Sequence, residues 1–275
     1  MAVSFSERIR LKDGPLLGTV MSIPSPMVSR VAAGIFDWVM IDMEHSPLSA
    51  SEMTQMVHAI ANTSNGSCIP IVRIPAHTVE WVKWALDSGA GGIVIPMVNN
   101  AAEVEKIIEH AIYPPRGKRS YGPANAPFGM QLPAGDMAAY YKKAQAREIA
   151  ILPMIESAEG LRNAEEIIKV DGVSGIFVGP YDLRLSMNLP GGSDGPEPSF
   201  DQALRKICDI GKRLGKPIGS MGVGELVARK RTAIGMDFLL VTLDFGALAS
   251  GFESAKLVAA DGVKIAKGQC GREKL

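Results

Sequence analysis

The chain has 275 residues, 47% of them hydrophobic and 21% charged, and its 29 Lys plus Arg balance 29 Asp plus Glu. That composition reads as globular, and the even charge balance leaves no basic footprint for nucleic acid or an anionic membrane surface. The length suits an α/β barrel, which typically closes as one unit of about 250 residues, and it can bury a core without disulfides or a structural metal.

In chain order, Met1 to Gly14 carries Glu7, Arg8, Arg10, Lys12 and Asp13 and no apolar stretch, so it does not read as a signal peptide. Eight short apolar runs follow: Leu16 to Ile23, Phe36 to Met43, Cys68 to Ile74, Gly92 to Val98, Ile149 to Ile155, Gly175 to Val178, Pro217 to Met221 and Phe238 to Thr242. Several are nearly continuous in Val, Ile and Leu, as strands buried on both faces require. Helical patterns lie between them at Ser51 to Ala61 (capped by Ser49 or Ser51), Val79 to Ser88, Ala101 to Ala111, Ala158 to Lys169 and Phe200 to Leu214. The alternation predicts a parallel sheet, and the count of strands predicts a closed (β/α)8 TIM barrel spanning residues 1–275 as a single domain. No G-x-G-x-x-G turn follows the first strand, which argues against a dinucleotide-binding sheet.

Two segments break the rhythm. Residues 113–147 are rich in Pro, Gly, Tyr and basic side chains, and Asn188 to Ser199 is a loop by composition. Long loops in compact domains are often functional, and either is expected to be able to cover the barrel mouth. No apolar run reaches the ~18 residues a membrane helix needs. Three cysteines, Cys68, Cys208 and Cys270, lack paired spacing, which with 14 methionines points to a reducing, cytoplasmic setting.

Barrel active sites lie at the C-terminal ends of the strands. Those ends carry Asp42, Glu44 and His45 after the second strand and Arg73 after the third. Glu156 follows the fifth, Asp182 the sixth and Asp244 the eighth. Each has a bland reading: Asp182 and Asp244 as helix caps, Arg73 as an ion-pair partner of Asp87, His45 as a hydrogen-bonded rim histidine. Together they place a base, a cation and at least two carboxylates around one mouth, where unpaired charges would be costly. Two carboxylates suit a hard divalent ion. A 2-oxo acid would chelate such an ion through its carboxylate and keto oxygens, and Arg73 would add positive charge at the oxygen that becomes an enolate.

The motifs Asp42-Met43-Glu44-His45, Val72-Arg73-Ile74-Pro75, Leu86-Asp87-Ser88-Gly89-Ala90, Tyr113-Pro114-Pro115-Arg116-Gly117-Lys118-Arg119, Ile155-Glu156-Ser157 and Val178-Gly179-Pro180-Tyr181-Asp182-Leu183 occur in that order. Jointly the chain resembles the HpcH/HpaI-type class II aldolases, a metal-dependent 2-oxo acid family with a phosphoenolpyruvate/pyruvate-type barrel. The resemblance implies Glu156 and Asp182 as metal ligands, commonly for Mg²⁺, Mn²⁺ or Co²⁺. It implies Arg73 on the keto oxygen and His45 as acid/base through a metal-bound water. Asp42 and Asp87 would orient His45 and raise its basicity. Backbone N–H groups around Gly179, Pro180, Tyr181 and Asp182 would hold the substrate carboxylate. A homo-oligomer, hexamer or trimer, is implied, with a helix at about 252–267 packing across subunits.

Two positions depart from the family pattern. Met154 stands where a Gln usually contacts substrate, and Met offers no strong hydrogen bond. Tyr181 stands where a small residue is usual, in a Gly-Pro-Tyr-Asp-Leu form resembling macrophomate synthase, and Tyr140 or Tyr141 falls near a tyrosine of that relative. The expected function is cleavage of 4-hydroxy-2-oxo acids to pyruvate and an aldehyde, or the reverse addition. The alternatives are oxaloacetate decarboxylation or a macrophomate synthase-like reaction through the same enolate, and a non-catalytic ligand-binding barrel. The Arg116, Lys118 and Arg119 run either holds a second substrate carboxylate or is a solvated loop.

Overall fold

The computed structural model describes residues 3–270. Strands β1 (Leu16–Met21), β2 (Trp38–Asp42), β3 (Ile69–Arg73), β4 (Gly92–Ile95), β5 (Ala150–Ile155), β6 (Ile176–Val178), β7 (Ile218–Met221) and β8 (Phe238–Leu243) pair in parallel, each with the next. Pairing of β1 with β8 closes the barrel. All eight expected strands are present. The fourth ends at Ile95, short of the expected Val98, because the chain turns there: Met97 takes a left-handed φ of 52° and donates its N–H to Glu156 Oε1 at 2.6 Å.

Helices α1 (Phe5–Leu11), α2 (Pro26–Ala33), α3 (Ala50–Ser64), α4 (Val79–Asp87) and α5 (Ala101–Ala111) flank the first four strands. Before β5 come α6 (Ala126–Gly129) and α7 (Met137–Gln145), and after it α8 (Ala158–Arg162) and α9 (Ala164–Lys169). The remainder are α10 (Pro180–Ser186), α11 (Pro198–Leu214), α12 (Glu225–Ala233) and α13 (Asp244–Cys270). Ser49 caps α3 in a reciprocal capping box with Glu52. The single helix expected over Ala158 to Lys169 is broken at Asn163, whose side-chain amide donates to Asn99 O at 2.8 Å.

The bore is filled. Phe5 of α1 plugs its lower end, meeting Trp38 edge-on at 6.0 Å and Phe238 at 5.1 Å between ring centroids. Those rings fit because their neighbours lack side chains: a Cβ at Gly18 would lie 2.2 Å from the Trp38 ring, and one at Gly219 would lie 2.3 Å from the Phe238 ring. Outward-facing strand residues such as Val39, Ile41, Val72 and Ile93 are buried against the helix layer. Each such aliphatic side chain contributes about 1.5–3 kcal/mol of hydrophobic stabilisation.

The segment 113–147 does not cover this chain's mouth. It leaves the C-terminal end of α5, and helices of a parallel barrel run back toward the N-terminal ends of the strands. There it packs on α3 and α4: Gln131 donates to Ala61 O at 2.6 Å, and a Cβ at Gly89 would lie 2.3 Å from Ala126 O. The segment 188–199 is pinned from two helices and does not line the mouth cavity either. Arg184 Nη1 meets Glu197 at 2.7 Å, and Arg231 donates to Ser193 O at 2.9 Å and Asp194 at 3.0 Å. The last helix begins at Asp244, earlier than the expected 252, and leaves Phe252, Leu257, Val258, Val263 and Ile265 exposed. Among the described residues no helix is long and apolar enough to cross a membrane. Cys68 and Cys208 are buried free thiols, and the side chain of Cys270 lies outside the described part.

Candidate active site

A cavity of about 500 Å³ opens at the C-terminal ends of the strands. Ser22, Asp42, His45, Arg73, Glu156 and Asp182 supply its polar wall. Gly179, Pro180 and Tyr181 line it too, as does Met154, which is almost fully buried one layer below Glu156.

Asp42 and Arg73 end neighbouring strands and are register partners in the β2–β3 ladder. Arg73 grips the Asp42 carboxylate twice, Nε to Oδ1 at 2.8 Å and Nη2 to Oδ2 at 2.6 Å. Its Nη1 lies 3.1 Å from Glu44 Oε2. Burial disfavours the charged guanidinium, but the hydrogen bonds and charges of Asp42, with Glu44 and Glu156, outweigh it and push its pKa up, so Arg73 stays a cation. Free N–H bonds remain on Nη1 and Nη2 for a ligand oxygen.

Glu156 is 3% exposed. One carboxylate oxygen accepts the Met97 N–H; the other occupies space that only glycine leaves open, since a Cβ at Gly179 would lie 2.2 Å from Oε2. Burial pushes its carboxyl up to about 7; the Met97 N–H opposes this, the negative charges of Glu44 and Asp182 reinforce it, and Arg73 only partly offsets it. Burial likewise raises Glu44, despite Arg73 and His45. Asp182 stands exposed in the first turn of α10, which opens at Gly179 without a side-chain cap.

This donor set fits a hard divalent ion. Among the described residues no cluster of three or more His, Cys, Asp or Glu side chains has metal-ligand geometry. A buried carboxylate paired with a second one is nonetheless what Mg²⁺-type ions use, because they fill their remaining positions with water and substrate oxygens.

The expected orienting residues behave differently from expectation. Asp42 does not touch the His45 ring; its Oδ1 accepts the backbone N–H of Glu44 at 3.0 Å and of His45 at 3.4 Å. The carboxylate near the imidazole is Glu44, with Oε2 3.7 Å from Nε2. The sequence places Glu44 at this strand end without assigning it a role; its position between Asp42 and His45 in the Asp-Met-Glu-His motif is the signal for one. His45 itself is at the rim, its side chain 67% exposed. Asp87 is not brought to the mouth at all, because α4 carries it to the opposite end of the barrel, where it meets Arg119 Nη2 at 2.5 Å. Arg73 therefore pairs with Asp42 and Glu44 rather than with Asp87.

Asp244 is structural: its carboxylate accepts the N–H groups of Ser22, Ile23 and Phe245, tying β8 to the loop after β1. Tyr140 is fully buried, donating to Leu86 O at 2.8 Å and accepting from Arg119 at 2.9 Å, so it is a packed insertion residue; Tyr141 accepts from Gln145. Arg116 donates to Gln145 O, Lys118 pairs with Glu109, and none of the basic run lines the cavity.

The profile of the HpcH/HpaI aldolase/citrate lyase family matches residues 20–240. A hydroxypyruvate/pyruvate aldolase of Rhizorhabdus wittichii is 32% identical over 249 residues, which is 90% of this chain and 94% of that one. A 4-hydroxy-2-oxo-heptane-1,7-dioate aldolase of Shigella boydii is also 32% identical, covering 90% of this chain and 92% of its own. The crystal structure of macrophomate synthase superposes with a TM-score of 0.73 at 30% identity, over 88% of this chain and 86% of that one.

Proposed function

The chain belongs to the HpcH/HpaI aldolase/citrate lyase family, and from that premise we propose that it is a metal-dependent carbon–carbon lyase that cleaves 4-hydroxy-2-oxo acids to pyruvate and an aldehyde, or runs the addition in reverse. The observation that carries this reading is the convergence of Arg73, His45, Glu156 and Asp182 on one cavity.

In this reading the substrate carboxylate lies against the first-turn N–H groups of Tyr181 and Asp182, where α10 has no side-chain cap. Glu156 and Asp182 hold a divalent ion, with Mg²⁺ the first choice, which when bound supplies Lewis-acid polarisation of the keto oxygen. Arg73, fixed by Asp42, directs its remaining N–H bonds at that oxygen and stabilises the charge that develops there. His45 takes the proton of the 4-hydroxyl. The C3–C4 bond breaks, the aldehyde departs, and the electron pair becomes the enolate of pyruvate. Returning the proton to C3 from His45 completes pyruvate. Glu44 supports both partners, 3.1 Å from Arg73 and 3.7 Å from the imidazole.

A second reading uses the same enolate, made by loss of CO₂ from oxaloacetate. Met154 and Tyr181 favour it, because they replace the hydrogen-bonding and small residues expected beside the metal pair. Incubating the purified protein with Mg²⁺ and either a 4-hydroxy-2-oxo acid or oxaloacetate, and following pyruvate, tests both. Protein-dependent release, measured above a protein-free control, that survives exhaustive chelation contradicts the proposal.

The reading extends to a homo-oligomer and a reducing, cytoplasmic setting. The row of exposed apolar side chains on α13 supports the first, and the free thiols of Cys68 and Cys208 support the second.

A further inference from the structure

The cavity wall is divided by strand. Its ionic groups stand on the ends of β2, β3, β5 and β6, as Asp42, Arg73, Glu156 and Asp182. The arc that continues round the mouth is different. There β7 ends in Met221, β8 in Leu243, and Phe245 lies in the first turn of α13; Tyr181 stands where the two arcs meet. Two of these are aromatic side chains held open to solvent at the rim, Tyr181 at 48% and Phe245 at 56% exposure. Exposed apolar surface beside a binding cavity is surface that a ligand can cover with gain.

That arc carries no available charge. Asp244 lies behind it, 5% exposed, with its carboxylate occupied by three backbone N–H groups. The hydroxyls on this side are those of Ser22, whose N–H is one of the three, and of Tyr181. Among the described residues that line the cavity, Arg73 is the sole Lys or Arg, and it is committed to Asp42, Glu44 and the keto oxygen. The basic run 116–119 lies on the far side of the barrel. A second carboxylate on the substrate would therefore meet no cationic partner on this arc, and a polyol chain would find only the hydroxyls of Ser22 and Tyr181 among mostly apolar surface.

We propose that the half of the substrate beyond the 2-oxo acid, the aldehyde released or captured, is uncharged and apolar, aryl or branched alkyl, and that it seats on the arc of Tyr181, Met221, Leu243 and Phe245. This rests on the lyase reading above and fixes what that reading leaves open. Relatives equally similar to this chain differ in the tail their names imply, so family membership does not decide it.

The test is a binding measurement, independent of turnover. Calorimetry on the full-length protein with Mg²⁺ compares pyruvate, 4-phenyl-2-oxobutanoate and 2-oxoglutarate. The phenyl compound is expected to bind at least about tenfold tighter than pyruvate, which is the affinity that burying part of one ring supplies, and 2-oxoglutarate no tighter than pyruvate. Phe245→Arg, at an exposed position that tolerates a charge, should erase the phenyl advantage and improve 2-oxoglutarate. Tighter binding of 2-oxoglutarate than of the phenyl compound to the unaltered protein overturns the inference. If none of the three binds, the 2-oxo acid reading itself fails, and the apolar-tail inference with it. If pyruvate binds and the phenyl group adds nothing, the apolar tail alone fails.

Discussion

Arg73 and Asp42 end adjacent strands in register and meet through two hydrogen bonds, at 2.8 and 2.6 Å, so the guanidinium plane is fixed before any substrate arrives. A planar fork held bidentately is the preorganisation that enolate stabilisation needs, and Lys could not reproduce it.

Breaking that pair should affect both rate and stability. Asp42→Ala leaves a largely buried cation with only Glu44. Losing one partner of a buried pair costs about 3–5 kcal/mol, and a donor misaimed at a developing charge costs about 10²-fold in kcat. Thermal unfolding should fall by several degrees, and pyruvate release should slow by about that factor. Unchanged kcat in a folded variant would show that Asp42 does not aim Arg73.

The metal site should compete with protons. Glu156 must be ionised to ligate, yet burial pushes it up to about 7. Apparent Mg²⁺ or Mn²⁺ affinity should therefore weaken about tenfold for each pH unit below 7 and level off above it. The stability sign follows from the same shift. A raised acid group contributes stability below its ordinary 4.5, and that contribution is lost as pH rises through about 7. The metal-free protein thus loses stability across that window, and added Mg²⁺ should raise Tm more at pH 8 than at pH 6. Equal Mg²⁺ shifts at both pH values, or a shift retained in Glu156→Gln, would contradict this.

Gly179 should be intolerant of even one methyl group. A Cβ there would meet Glu156 Oε2 at 2.2 Å and Glu156 Cβ at 2.8 Å. Gly179→Ala is expected to displace the carboxylate and weaken Mn²⁺ binding by about 10–100-fold, measured by calorimetry or by paramagnetic resonance of free Mn²⁺. Native affinity would mean that Glu156 is not the ligand.

Phe252 and Val258 on α13 are 71% and 73% exposed, which a lone subunit would keep at a cost. The native protein should scatter light as an oligomer, and Phe252→Glu with Val258→Glu should shift it toward smaller species. A monomeric native protein would contradict this.

The strands were legible because a parallel barrel buries both faces of each one, leaving unbroken runs such as Ala150–Ile155. The polar strand ends were legible for the complementary reason, as charges that interrupt those runs. Helices α2, α10 and α12 were not singled out: two are short, and α12 presents little apolar face. Residue direction was the harder part. Asp87 lies near Arg73 in sequence, but a helix intervenes and carries it to the other end of the barrel. The placement of 113–147 failed for the same reason, since a segment leaving a helix end returns to the bottom of the barrel and not to its mouth. Glu44 was hidden by the more familiar chemistry of its neighbour His45.

The proposed lyase chemistry requires Arg73, Glu156 and Asp182 to form a metal-assisted enolate site. Proton NMR of pyruvate in D₂O tests it most directly, because enolate formation exchanges the methyl protons without any acceptor. Exchange is expected with Mg²⁺ present, with loss on chelation, recovery on re-addition, and loss in Glu156→Gln and Arg73→Ala variants that remain folded. Exchange that persists undiminished in the chelated protein, or in folded Glu156→Gln, would contradict it.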